Sequence, residues 1–187
     1  AQNVLTQLVR LHQISCGHVT TDAGDVVHIE TFRMQELLAA IEEVHGKVII
    51  WATYRADIKM IIQELTSIYG KKSCVDYYGE TKDTIRVQNI ERFQGDDDTR
   101  FFVGNPQTGG MGITLTASST VIYYSNSYNL EHRIQSEDRA HRIGQSNKVT
   151  YIDLICPKTV DEKIVTALKS KKQLASVVMG DEIRSWL

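Results

Sequence analysis

Long apolar runs are absent from this sequence. No window approaches the roughly 18 consecutive apolar residues of a membrane span, and the opening AQNVLTQLVRLHQ places Gln, Asn, Arg and His where a secretion signal needs an unbroken apolar core. Both absences argue for a soluble, intracellular protein with no membrane partner. Cysteine is scarce and unpatterned. Cys16, Cys74 and Cys156 are an odd number, far apart, without a C-x-x-C pair or metal-ligand spacing, so reduced, buried thiols are expected rather than a disulfide framework or a metal site. An excess of positive charge is missing too. With 21 Lys and Arg against 23 Asp and Glu, the net charge is −2. Nonspecific DNA affinity comes mainly from Lys and Arg neutralising phosphates, so any role on nucleic acid has to be read from local motifs. Two prolines, 42% apolar and 24% charged residues are an ordinary globular composition, and 187 residues suffice for one domain with a leader.

What is present is an alternation of short apolar runs with helical patterns. Val4, Leu5, Leu8, Leu11 and Ile14 stand near helical spacing over residues 2–15, and Gly17 is a stop signal. TDAGDVVHIE at 21–30 reads as a turn and a short extended piece. A second amphipathic pattern runs from Thr31 to His45 and ends at Gly46. From Lys47 onward, the runs VIIWA at 48–52, VDYY at 75–78, FFVG at 101–104, VIYY at 121–124 and VTYIDLI at 149–155 are β-branched and aromatic throughout, as in strands buried on both faces. Between and after them, 55–69, 82–94, 130–142 and 158–178 carry helical periodicity. The pattern predicts an α/β fold, a parallel β-sheet flanked by helices on both faces, with ligands gathering at the C-terminal ends of the strands.

Two segments carry the chemistry. In QSEDRAHRIGQ, residues 135–145, continuation of the helix would fan Gln135, Arg139 and Arg142 over about 60° of one face. Two guanidiniums on one face suit a polyphosphate, since each presents a planar fork of donors that matches phosphate oxygens. The same spacing also fits a solvated helix laced by Glu131, Glu137 and Asp138. In Gly109-Gly110-Met111-Gly112, directly after the FFVGN strand, glycines let the backbone approach a phosphate or ribose, or simply make a tight turn.

QSEDRAHRIGQ resembles motif VI of the Swi/Snf group of superfamily 2 helicase-like ATPases, with an unbroken match from Arg139 to Gln145. Gly109-Gly110-Met111-Gly112 resembles motif V of that family, with Thr114 where asparagine is usual. KVIIWATY at 47–54 resembles motif IV. Tyr78-Gly79-Glu80-Thr81, the helix after it and VIYYSNSYNLEHRIQ also fall in the family's order, although Ser125 and Tyr128 replace the common Asp and Trp. LVRLHQISC resembles the helix before the second lobe, so the resemblance covers most of the chain. The departures point to a divergent member, bacterial or viral.

The resemblance implies a RecA-like second lobe over residues 31–187, preceded by a leader helix and lead-in segment over residues 1–30. It implies half of an ATP site. No Gly-x-x-x-x-Gly-Lys-Ser/Thr loop is present: Gly46-Lys47 and Gly70-Lys71 lack the hydroxyl residue. The acidic pairs Asp161-Glu162 and Asp181-Glu182 fall within or after the last helix rather than after a buried strand. ATP with Mg2+ is therefore expected to be held mainly by an N-terminal RecA-like lobe, and this chain alone is expected to be inactive. Its contribution would be Arg142 and Arg139 as catalytic arginines oriented by Gln135, with Gly110, Gly112, Arg139 and Arg142 binding ATP. Double-stranded DNA would be met through Tyr54, Thr81, Asn105, Gln107 and Thr108. The setting would be cytoplasmic for a bacterial or viral protein and nuclear for a eukaryotic one. A RecA-like lobe that has lost catalysis and serves as an interaction platform is the alternative, although Gln135, Arg139 and Arg142 are intact. A Rossmann-type enzyme would need a glycine-rich turn where WATYRAD stands.

Overall fold

The computed structural model describes residues 3–108 and 112–179. Glycines 109 and 110, Met111 and the pair Asp181-Glu182 lie outside the described residues. Seven strands and six helices follow in the order α1 (Val4–Cys16), β1 (His18–Thr20), β2 (Val26–His28), α2 (Arg33–Glu42), β3 (Val48–Trp51), α3 (Arg55–Tyr69), β4 (Cys74–Tyr77), α4 (Asp83–Gly95), β5 (Phe101–Gly104), β6 (Thr120–Tyr123), α5 (Leu130–Ala140), β7 (Thr150–Asp153) and α6 (Val160–Met179), counted among the described residues. The five strands β3 to β7 form one parallel sheet in the order β4-β5-β3-β6-β7. All four residues of β3, VIIW, are buried, as the continuous apolar run requires of a strand covered on both faces.

Alternation along the strands sorts the core into two layers. Val48, Ile50, Phe101, Val103 and Ile122 face α2 and α3 through Leu37, Ile41, Ile58, Ile61 and Leu65. Ile49, Trp51, Phe102, Val121 and Tyr123 face the other way, against Phe93 of α4, Ala140 of α5 and Leu115 of the β5–β6 connection. Phe102 is the hub of that second layer, with ring centroids 5.7 Å from Trp51, 5.4 Å from Tyr77 and 5.3 Å from Phe93.

The leader is docked on this same body. Asn3 caps α1 by accepting from the Leu5 N–H at 3.2 Å, and Gly17 ends it in the left-handed region at φ 98°. Leu8 of α1 and Leu130 of α5 join Val160, Ile164 and Leu168 of α6 in a third apolar cluster. What reads in the sequence as one extended piece after a turn is a two-stranded antiparallel hairpin, β1 with β2, separate from the main sheet.

A buried polar cluster fastens these parts together. Arg33, at the start of α2, donates to the carbonyls of Ser15 and Leu154 at 2.9 and 3.0 Å, to the carbonyl of Tyr124 and to the Asp161 carboxylate of α6. Ser15 reaches the same carboxylate at 3.0 Å. His12 bonds the Tyr54 hydroxyl through Nδ1 at 2.9 Å and stands with Nε2 3.4 Å from Asp161. Burial, then the charges of Arg33 and His18, hold its pKa down to about 4, so the imidazole is neutral. His18 Nδ1 lies 2.9 Å from Asp57, whose carboxyl is pushed up by burial.

Candidate functional site

The C-terminal edge of the sheet is organised by Asn105, directly after β5. Its backbone N–H donates to Tyr77 O at 2.9 Å, its side-chain amide donates to Thr53 O at 2.8 Å, and its Oδ1 accepts from the Gln107 N–H at 2.8 Å. One residue thus ties the ends of β3, β4 and β5 and shapes the loop behind them. Gly104 is required beside it, because an added Cβ would come 2.5 Å from the Tyr77 carbonyl oxygen. On the loop, Gln107 is exposed and Thr108 half-buried.

The other two DNA candidates have engaged hydroxyls. Thr81 is 6% exposed, donates to Asp76 Oδ2 at 2.6 Å and accepts from the Tyr78 N–H at 3.2 Å. Tyr54 points to the leader, its ring edge-on to His12 and His18 with centroids 5.3 and 5.2 Å away.

The arginine segment lies differently from its sequence expectation. Helix α5 ends at Ala140, where the His141 N–H closes on Glu137 O at 3.1 Å, so Arg142 is off the helix and the three residues do not share one face. Gln135 is exposed and donates to Glu131 Oε1 at 3.0 Å, one turn back. Arg139 is only 6% exposed. Its Nη2 reaches the carbonyls of Pro106 and Thr108 at 3.2 and 3.4 Å, its guanidinium lies 5.1 Å from the Trp51 ring centroid, and burial pushes its pKa down. Arg142 is exposed and lies along the segment after the glycines: its Nη1 donates to Gly112 O at 2.9 Å and to Thr114 Oγ1 at 3.0 Å, with Ile113 O at 3.5 Å.

These contacts also correct where the site sits. Because α5 follows β6 and returns to the start of β7, its end lies toward the opposite, N-terminal edge of the sheet. There Gln145 donates to Thr116 O and Ser118 O at 3.1 and 2.8 Å, and Ser118 bonds Lys47 O beside the start of β3 at 2.7 Å. The DNA candidates occupy the C-terminal edge, Arg142 lies toward the other, and Arg139 bridges the two groups. Of the expected ATP contacts, Gly112 is present at φ 117°, in the left-handed region that suits glycine, while Gly110 lies outside the described residues.

Sequence reasoning missed Arg133, which pairs with Glu137 at 2.7 Å and with Asp153 of β7 and also donates to Asn126, pinning α5 to the edge strand. The i,i+4 spacing to Glu137 was its one local signal. A groove of about 1060 Å³ lined by Leu11, Ile14, Phe32, Ile155 and Val160 lies apart from Arg139 and Arg142, between α1, α2 and the start of α6. Among the described residues, no cluster of three His, Cys, Asp or Glu could hold a metal ion, and no helix is long and apolar enough to cross a membrane.

A five-stranded parallel sheet with helices on both faces, carrying a glycine turn and an arginine segment on one of them, defines a RecA-like lobe. The family described as "Helicase conserved C-terminal domain" matches residues 32–144, and the chain belongs to it. It is 30% identical over 160 residues to the human chromatin-remodeling ATPase INO80, covering 86% of this chain and 10% of that protein. It is 32% identical over 148 residues to the ATP-dependent helicase fft2 of Schizosaccharomyces pombe, covering 79% and 11%. The chain thus spans about a tenth of the length of these relatives. Among solved structures, the Sulfolobus solfataricus SWI2/SNF2 ATPase core in complex with dsDNA superposes with a TM-score of 0.72 at 28% identity, over 95% of this chain and 38% of that one. The C-terminal part of the Fun30 ATPase domain superposes with a TM-score of 0.68 at 25% identity, over 74% and 46%. The two curated relatives are human and fission-yeast proteins, so a bacterial or viral type, expected from the departures at Thr114, Ser125 and Tyr128, is not supported.

Proposed function

We propose that this chain is the second RecA-like lobe of an ATP-dependent, double-stranded-DNA-translocating ATPase of the SNF2 type. The observation that carries the reading is the pairing of an exposed Arg142 with its glycine segment, on a fold shared along nearly its whole length with an SNF2 core solved on duplex DNA. The substrate ATP, with its Mg2+, is bound mainly by the N-terminal lobe of the same protein. Arg142 meets the γ-phosphate from this side and offsets the charge that develops as the phosphoryl group transfers. Gly110 and Gly112 contact the nucleotide, and Gln135 assists from α5, one turn before Arg139. Without the phosphate-binding loop, this chain alone does not turn over ATP.

Arg139 couples the two ends of the sheet. Its grip on the Pro106 and Thr108 carbonyls ties the nucleotide side to the strand-end loop that carries Asn105, Gln107 and Thr108. Those residues meet DNA phosphates without reading sequence. Tyr54 and Thr81, with hydroxyls engaged inside the chain, support the same edge by holding their loops. Opening and closing of the interlobe cleft then moves this edge along the duplex in steps. The relatives named for chromatin remodelling support a nuclear setting.

The test is Arg142→Ala in the two-lobe protein with saturating duplex DNA. Turnover is expected to fall on the order of 10³-fold while DNA affinity is unchanged. Unaltered turnover would return the lobe to the alternative of a catalytically inactive RecA-like interaction module.

A further inference from the structure

Where the resembled motif has asparagine, this chain has Thr114, and its hydroxyl is one of two close acceptors for Arg142. Arg142 Nη1 has two hydrogens, and Gly112 O at 2.9 Å and Thr114 Oγ1 at 3.0 Å account for both. The bonds of Arg142 involve Nη1 alone among the described residues, and the Nε–Nη2 edge, a bidentate fork matched to phosphate oxygens, has no partner among them. The acceptors are themselves fixed. Leu115, the next residue, is fully buried and donates its N–H to Arg139 O at 2.8 Å, and Gln145 holds the Thr116 and Ser118 carbonyls. Threonine is β-branched and stiff at χ1, so a fixed backbone also fixes its oxygen.

We propose that Thr114 is a positioning residue for ATP hydrolysis: with the Gly112 carbonyl it holds one end of the Arg142 guanidinium so that the other edge is presented to the γ-phosphate. The proposal rests on the reading of Arg142 given above. It predicts an effect on the rate of the chemical step and none on nucleotide affinity or DNA affinity, because Thr114 touches neither ligand.

The experiment measures kcat and KM for ATP in the two-lobe protein on saturating duplex DNA, for Thr114→Val, Thr114→Ser, Arg142→Ala and the Thr114→Val/Arg142→Ala double variant. Thr114→Val removes the acceptor at nearly constant shape and lowers kcat about 10-fold, as loss of a hydrogen bond to a charged group does, with KM unchanged. Thr114→Ser keeps the oxygen and recovers most of the rate. In the Arg142→Ala background, Thr114→Val has no further effect, because there is no guanidinium left to hold. Wild-type kcat in Thr114→Val alongside a disabled Arg142→Ala overturns the positioning role alone, and so does an additive double variant or a loss of DNA affinity in place of kcat. Full activity in Arg142→Ala overturns the underlying reading of the arginine. Thermal melting of each variant, with the serine rescue, separates these outcomes from unfolding.

Discussion

Arg33 and Arg142 occupy opposite sides of the sheet and do opposite things with the same guanidinium. On the side of α2 and α3, Arg33 is 6% exposed and spends its donors on three carbonyls and the Asp161 carboxylate. His12, His18, Asp57 and Ser15 surround it, so the region is a closed polar fastening between leader, lobe and last helix. On the side of α4 and α5, Arg142 is exposed and commits one nitrogen to its own lobe. The number of donors already committed inside the chain separates an arginine that holds a fold together from one with capacity left for a ligand. Arg139 falls between them, buried like Arg33 and bonded to the carbonyls of the strand-end loop.

The strongest way to break this contrast is to remove each arginine in turn. Arg142→Ala is expected to produce the largest change in function, the 10³-fold loss already given, with folding stability shifted by less than about 0.5 kcal/mol, as for most surface substitutions. Arg33→Ala should do the reverse. It leaves Asp161 buried without its counter-ion and is expected to destabilise the lobe by about 3–5 kcal/mol, measured by urea unfolding. A smaller loss there would mean that water or His12 takes over the pairing.

Acid sharpens the same contrast. The pKa of His12 is held to about 4 in the folded chain against the ordinary histidine value of 6.5. Between these values the unfolded chain takes up a proton that the folded chain refuses. Stability is therefore full above about pH 6.5 and falls as pH drops toward 4, by up to about 3 kcal/mol. A His12→Gln variant should lose that slope, read as melting temperature against pH, while an unchanged slope would assign it to other groups. The smallest effect belongs to Gln135→Ala. With its amide engaged by Glu131 on the exposed face, the variant should lose less than about 0.5 kcal/mol of stability, and its turnover should fall only a few-fold.

Much of the fold was legible in the sequence. All five strands of the main sheet and all six helices lie within three residues of their expected bounds, because continuous β-branched runs and amphipathic repeats are local signals that burial on two faces reinforces. The β1–β2 hairpin escaped, since three-residue strands carry too few residues to show a period. Within the site, the residue types were legible and their placement was not. The helical pattern reads on to Arg142, yet α5 ends at Ala140, two residues earlier, which takes Arg142 off the helical face. The Arg33–Asp161 pair joins residues 128 apart and has no local signature. The engagement of Tyr54 by His12 likewise depends on where α1 docks, which long-range contacts such as those of Leu8 and Ser15 with α6 decide.

The central claim, that this lobe is half of a DNA-stimulated ATPase, is tested most directly by ATP turnover of the chain by itself, then with the first lobe, each with and without duplex DNA. No turnover is expected from the chain alone, and DNA-stimulated turnover once the first lobe is added. Robust turnover by this chain alone would contradict the claim, since that would require a complete nucleotide site within these 187 residues.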